Sequence, residues 1–317
     1  MIPVLLLLAL PASGKSEVRR YLAHVDQTRR ASELHLGRDV QLDDYPYVHL
    51  MRVADEALAK EGEPRAFFTA ADASFKDPHD WGTLARLLCQ DFAAVMRAEH
   101  PRPASPADWL CDRLATARVE AKAPPLPAAL GPGGKARKHL VEVATEIAHG
   151  LAETTPDSLD GRTVVVEFAR GGPEGSKMPI TPPRGYAHTL SLLGPEILSR
   201  ASVLYVAVDP HESRRKNRER ARPDADGSIL HHGVPEQVMQ EEYGCDDFEY
   251  LLGVSDKKGT IRIDGAGGPH YLPAAELDNR ADLTTFLRDD PKQWSKENVA
   301  RIHGALAGAL GSIASRR

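Results

Sequence analysis

The chain begins with a short apolar run that leads straight into Gly-Lys-Ser: Val4-Leu5-Leu6-Leu7-Leu8-Ala9-Leu10-Pro11-Ala12-Ser13-Gly14-Lys15-Ser16. This order predicts a buried strand, a tight loop and a helix, the context in which a phosphate-binding loop is credible. Backbone N–H groups of such a loop ring phosphate oxygens, and the helix start adds its positive end to the same anion site. Lys15 then reaches the β- and γ-phosphates of a nucleotide, and the Ser16 hydroxyl is a Mg²⁺ ligand. The expected nucleotide-binding set is Pro11, Ala12, Ser13, Gly14, Lys15, Ser16 and Glu17. The pattern G-x-x-x-x-G-K-[ST] puts Ala9 where its first Gly belongs. Ala serves there if its φ stays negative.

The same run has the length of a signal-peptide core. It lacks a positive segment before it and a small-residue cleavage site after it, so a parallel strand is the expectation. No later stretch holds 18 uninterrupted apolar residues, so no membrane span is expected. At 317 residues, 42% hydrophobic and 27% charged, the chain has room for one large α/β domain with insertions. Its net charge of −5 speaks against coating nucleic acid. Cys89, Cys111 and Cys245 are too few and too widely spaced for a disulfide framework, which fits a reducing cytoplasm. The His residues show no H-E-x-x-H spacing, and His231-His232 reads as a polar loop pair.

Further along, a helix is expected from Ser16 to Val25 and a strand near Leu34 to Leu42, followed by a helix carrying Val48, Met51, Ala54 and Leu58 on one face. Arg65 to Ala71 is a short apolar piece, and Trp81, Leu84, Leu88, Phe92 and Val95 repeat at helical spacing. Residues 99–137 are broken by prolines, with only Trp109 to Val119 helical, and a helix follows from Lys138 to Leu151. Residues 99–160 are expected to form a helical insertion over the substrate side of a single domain. Thr163–Phe168, Ser202–Val208 and Gly259–Asp264 read as strands, and Asn298 to Ile313 as a closing helix. Strands separated by helices imply a three-layer α/β/α fold with a mostly parallel sheet.

Three groups of residues carry chemistry. Asp43-Asp44 ends the second predicted strand, where parallel sheets bind ligands. Asp43 there is a candidate base for a substrate hydroxyl, with Asp44 and Tyr45 as substrate contacts; Asp44 equally suits a helix N-cap. Glu167 ends the strand from Thr163 and is a candidate for the Mg²⁺ shell. Arg170 is a candidate clamp for a substrate anion or hydroxyl, or a partner for Glu167. The run His211 to Arg222 holds five Arg and one Lys against two Glu. It suits a solvated helix face, a nucleic-acid contact, or a basic lid over residues 210–227 that closes on a transferring phosphoryl, which its position favours. Arg214, Arg218 and Arg222 lie at i, i+4, i+8, with Arg215 one position off; Arg214 and Arg218 are the candidate catalytic pair, Arg215 and Arg222 candidate phosphate contacts.

Together these motifs resemble the P-loop small-molecule kinases of the nucleoside and nucleotide kinase superfamily. Leu42-Asp43-Asp44-Tyr45 is similar to the substrate motif of uridine kinase and nicotinamide riboside kinase, whose first Asp meets the substrate hydroxyl. Val208 to Arg222 is similar to their lid. The resemblance implies a P-loop NTPase fold and transfer of the γ-phosphoryl of ATP, with Mg²⁺, to a small-molecule hydroxyl or phosphate. Polynucleotide 5′-kinases and zeta-type toxin kinases share the loop and the Asp motif, but the former carry an Arg where this chain has Pro46. A nucleotide-binding regulatory module without turnover is the third alternative. The insertion at 99–137 and the acidic stretch from Glu236 to Glu249 match none of the motifs that carry the resemblance.

Overall fold

The computed structural model describes residues 1–220 and 233–317. In chain order the elements are β1 (Val4–Leu8), α1 (Lys15–His24), α2 (Gln27–Leu34), β2 (Arg38–Asp43), α3 (Tyr45–Lys60), α4 (Asp80–Met96), α5 (Pro106–Glu120), α6 (Val141–Thr154) and β3 (Arg162–Phe168). There follow α7 (Gly185–Ser191), α8 (Pro195–Leu198), β4 (Ala201–Ala207), α9 (Pro210–Arg220), α10 (Glu236–Glu241), α11 (Phe248–Val254), β5 (Thr260–Gly265), β6 (Gly268–Asp278) and α12 (Lys296–Ala314).

The strands form one sheet of order β2-β3-β1-β4-β6-β5, parallel except for the β5–β6 hairpin. Every residue of β1 is buried, because the sheet is covered on both faces. Val4, Leu6 and Leu8 pack with Leu88, Phe92, Tyr186 and Phe248 of α4, α7 and α11. Leu5 and Leu7 pack with Val18, Leu22, Leu306 and Leu310 of α1 and α12 on the other face. Period-two alternation thus feeds two cores, as a three-layer α/β/α arrangement requires.

Two expectations shift. The second strand starts at Arg38 and not near Leu34, because α2 claims Gln27–Leu34 with Asp26 capping it through Thr28 and Arg29. Beyond β4 the next parallel strand is β6, absent from the expected set, while the strand expected at Gly259–Asp264 is β5, the antiparallel edge partner of β6.

Between β2 and β3 the chain builds a helical lobe. Residues of α3, α4, α5 and α6 share a core of their own, including Leu50, Met51, Leu84, Leu110, Leu114 and Ala144. The expected insertion from residue 99 is the second half of that lobe, which starts at Tyr45. No helix among the described residues is long and apolar enough to cross a membrane.

The loop after β1 is held from beneath by the segment after β6. Asn279 is fully buried. Its backbone N–H donates to the Ala207 carbonyl at 2.9 Å, which joins the ends of β6 and β4. Its side-chain amide donates to the Ser13 carbonyl at 2.7 Å and the Thr284 hydroxyl at 2.9 Å, and its oxygen accepts the Leu283 N–H at 2.6 Å. Asn279→Ala leaves these groups without their partner in a dry site. It is expected to cost about 2–4 kcal/mol, read as a fall in Tm, whereas an unchanged Tm would show that the loop does not depend on this clamp.

Candidate active site

The loop Ala9–Gly14 joins β1 to α1 at the carboxyl edge of the sheet. Ala9 stays outside the left-handed region, as its place in the motif needs, whereas Ala12 (φ 55°) and Gly14 (φ 102°) enter it. A Cβ at Gly14 would also sit 2.5 Å from Thr284 Oγ1 and 2.8 Å from Asn279 Nδ2, so only glycine fits. The Ser13 hydroxyl donates to the Leu10 carbonyl at 2.5 Å. Lys15 Nζ folds back and donates to the Ala9 carbonyl at 3.2 Å, which lays the ammonium along the loop. The Ser16 hydroxyl, one residue on, is half-buried. Glu17 is not on this surface: it is buried and accepts from Arg288 Nε at 2.6 Å, tying α1 to the segment after β6.

Two carboxylates face the loop from neighbouring strands. Asp43 ends β2 opposite Glu167 of β3, and Glu167 lies opposite Leu7 of β1. At strand spacing, Asp43 is about 10 Å from β1. Arg19, one helical turn beyond Lys15, reaches across to both. Its Nη1 donates to Glu167 at 2.8 Å and lies 3.5 Å from Asp43, and its Nη2 donates to Gln41. Burial works against the Arg19 charge, but Glu167 and Asp43 outweigh it and hold its pKa above the ordinary value. Sequence reasoning missed Arg19 and Gln41. An arginine on an amphipathic helix reads as solvated face, and nothing local announces an acceptor 148 residues away.

Asp43 and Asp44 divide their roles opposite to the expected cap. Asp43 accepts the Tyr45 N–H at 2.8 Å, while the Asp44 side chain makes no cap bond at α3. Asp44 instead accepts from Arg170 at 2.6 Å. Arg170 is 2% exposed, donates also to the Trp81 carbonyl at 3.3 Å, and lies over the Trp81 and Phe168 rings. The expected substrate clamp is therefore a buried wall between the sheet and α4, and its partner is Asp44 rather than Glu167. Burial first, then Glu167 and Asp44, push the Asp43 carboxyl up to about 7. Burial also pushes Asp44 upward, with Arg170 opposing.

The basic helix α9 starts after β4 and is pinned to the loop by Ser213, whose hydroxyl donates to the Pro11 carbonyl at 2.7 Å. Its arginines do not share one face. Arg214 is buried, its Nη2 hydrogen-bonded to His211 at 2.9 Å and its Nη1 3.5 Å from Glu174. Arg218 is exposed and pairs with Glu236 at 3.2 Å. Arg215 is exposed between Glu212 and Glu219. Lys216, not among the expected residues, is 2% exposed and holds Asp282 at 2.9 Å. Of these three arginines Arg214 is the inward one, while Arg215 and Arg218 fit the solvated-face reading. Residues 221–227 of the expected lid, Arg222 among them, and the pair His231-His232 lie outside the described residues.

In front of Asp43 opens a recess of about 560 Å³ between the start of α3 and the inner face of α6. Tyr45 and Pro46 line it, as do Ile147 and Leu151. Deeper in, Asp91 accepts from the Tyr47 hydroxyl at 2.7 Å and from Arg113 at 2.5 Å.

The raised Asp43 pKa fixes a stability trend. Its folded value, about 7, exceeds the ordinary 3.8, so folding favours the protonated acid and is penalised progressively as pH rises from about 4 through about 7. The side chain is 34% exposed, so water screens much of this. In chelator-containing buffer Asp43→Asn should therefore stabilise the protein by on the order of 1 kcal/mol at pH 8 and by almost nothing at pH 4. Thermal unfolding at both pH values reads this out; a shift in Tm of the same size at both would contradict it.

No family model, curated protein or solved structure matches this chain, so its site is read from geometry and chemistry alone.

Proposed function

We propose that this protein is an ATP-dependent phosphotransferase of P-loop type that moves the γ-phosphoryl of ATP to a small-molecule acceptor. The observation that carries the reading is the shared frame of α1. Lys15 and Arg19 stand one turn apart on the helix that follows the Gly14 loop, one laid along the loop and the other bridging the two strand-end carboxylates. A loop closed by left-handed Ala12 and Gly14 and opening into a ten-residue helix suits a polyphosphate.

In this reading the loop N–H groups and Lys15 hold the phosphates and neutralise charge that builds during transfer. Asp43 takes the proton of the acceptor hydroxyl, and its raised pKa suits a base working near neutral pH. Arg19 favours the ionised state of that base. Of Arg214, Arg215 and Arg218, Arg214 is the one that faces inward, next to the Ser213 that ties α9 to the loop, and it is disposed to meet phosphate charge. Among the described residues no cluster of three or more His, Cys, Asp or Glu side chains could hold a metal alone. Mg²⁺ carried on phosphates needs only one or two protein oxygens. Ser16 and Glu167 would hold it. When bound, Mg²⁺ offsets phosphate charge.

One observation favours a second reading, a nucleotide-binding module without turnover: Arg19 already engages both carboxylates. ADP release separates the two when the protein is given ATP, Mg²⁺ and a pool of nucleosides, sugars and oligonucleotides. Lys15→Ala should abolish release with the circular dichroism spectrum unchanged. Asp43→Asn should lower kcat by roughly 10²–10⁴-fold with ATP affinity retained. The wild-type kcat/KM should rise with pH up to about 7, where Asp43 ionises. Turnover that survives Lys15→Ala would place the phosphates elsewhere, and nucleotide binding without turnover would favour the module.

A further inference from the structure

The recess in front of Asp43 also carries information about what enters it. This step rests on the phosphotransferase reading, which makes the recess the seat of the acceptor. Its volume of about 560 Å³ suits an organic molecule of metabolite size. The walls are apolar and aromatic, with Tyr45 and Pro46 on one side and Ile147 and Leu151 on the other.

Its charges are unbalanced. Asp43, Asp91 and Glu146 line it. Among the described residues Arg19 is the one arginine or lysine that does so, and its guanidinium is already committed to Glu167, Asp43 and Gln41. His49, exposed at the rim, is the other side chain there able to carry positive charge. Asp91 is matched by Arg113 behind the wall, at 2.5 Å. Glu146 is exposed on α6 and makes no ion pair among the described residues. A phosphate or carboxylate on an acceptor is normally received by Arg or Lys through charge-assisted hydrogen bonds. Here, among the described residues, it would meet carboxylates and no uncommitted cation of that kind.

We infer that the acceptor is a hydroxyl compound without phosphate or carboxylate, uncharged or amine-bearing, whose ring or chain lies between Tyr45 and Ile147 and whose amine, where present, faces Glu146. The charges of the described lining disfavour nucleotides, sugar phosphates and nucleic-acid ends. The rim acid then acts as a specificity determinant: it attracts a cationic acceptor and repels an anionic one, with no part in the transfer.

Matched pairs test this: a nucleoside and its monophosphate, an amino sugar and the corresponding sugar phosphate, and a 5′-hydroxyl oligonucleotide. Each is titrated calorimetrically without nucleotide and then assayed for ADP release with ATP and Mg²⁺. The uncharged or amine-bearing member of a pair should bind, with its phosphorylated partner about tenfold weaker or worse. Glu146→Lys should weaken the amine-bearing member roughly five- to tenfold, leaving uncharged members and the KM for ATP unchanged. Equal or tighter binding of a phosphorylated member or the oligonucleotide overturns the inference, as does failure of every member to bind. Charge-selective binding without ADP release would sink the phosphotransferase reading and uphold the charge selectivity. Release with phosphorylated acceptors would do the reverse.

Discussion

The guanidinium of Arg19 holds this site together. Asp43 and Glu167 are paired across adjacent strands. Two carboxylates at strand spacing, about 5 Å, repel by roughly 3 kcal/mol at the effective dielectric of a partly buried site. Arg19 places a cation 2.8 Å from one and 3.5 Å from the other. Because Arg19 sits on the same helical face as Lys15, that pairing also fixes the angle of α1 to the sheet, and with it the loop from which α1 starts. Loop, helix and strand ends therefore share one frame.

The walls around this frame are built from complete ion pairs. Asp44 with Arg170 and Asp91 with Arg113 and Tyr47 are all buried or nearly so. Burying such charges costs several kcal/mol per ion unless geometry and hydrogen bonding are good, so these pairs are better understood as fixing position than as adding stability. They set the seam between the sheet and the helical lobe, and hence the shape of the recess. Beneath the loop, Asn279 and the Glu17–Arg288 pair do the same from the other side.

Much of the fold was legible because it obeys local rules. The apolar runs of β1, β3 and β4, the strand-end positions of Asp43 and Glu167, and the helical face of α4 follow from periodicity and length. β6 was not legible: it carries Pro269 and Pro273, and proline interrupts a strand pattern. Its first half pairs only with β5 and its second half, from Ala274, with β4. Both prolines fall where the side away from β5 has no strand, which is where a sheet tolerates a missing N–H. The candidate site was legible at Asp43, Glu167 and the loop as positions at the edge of the sheet. It was not at Arg19, Gln41, Lys216 and Asn279, whose partners are brought close only by the fold. Helical spacing grouped Arg214 with Arg218, but one lies under Glu174 and the other in solvent beside Glu236; an arginine-only pattern carries no sign of which face is packed.

A crystal structure of the protein with Mg²⁺ and a non-hydrolysable ATP analogue tests the central claim most directly. The account predicts the triphosphate against the backbone of Ala9–Ser16, with Lys15 Nζ moved from the Ala9 carbonyl onto phosphate oxygen and the recess beside Asp43 left open beyond the terminal phosphate. Nucleotide bound away from this loop, or triphosphate there with Lys15 still on Ala9, would contradict it.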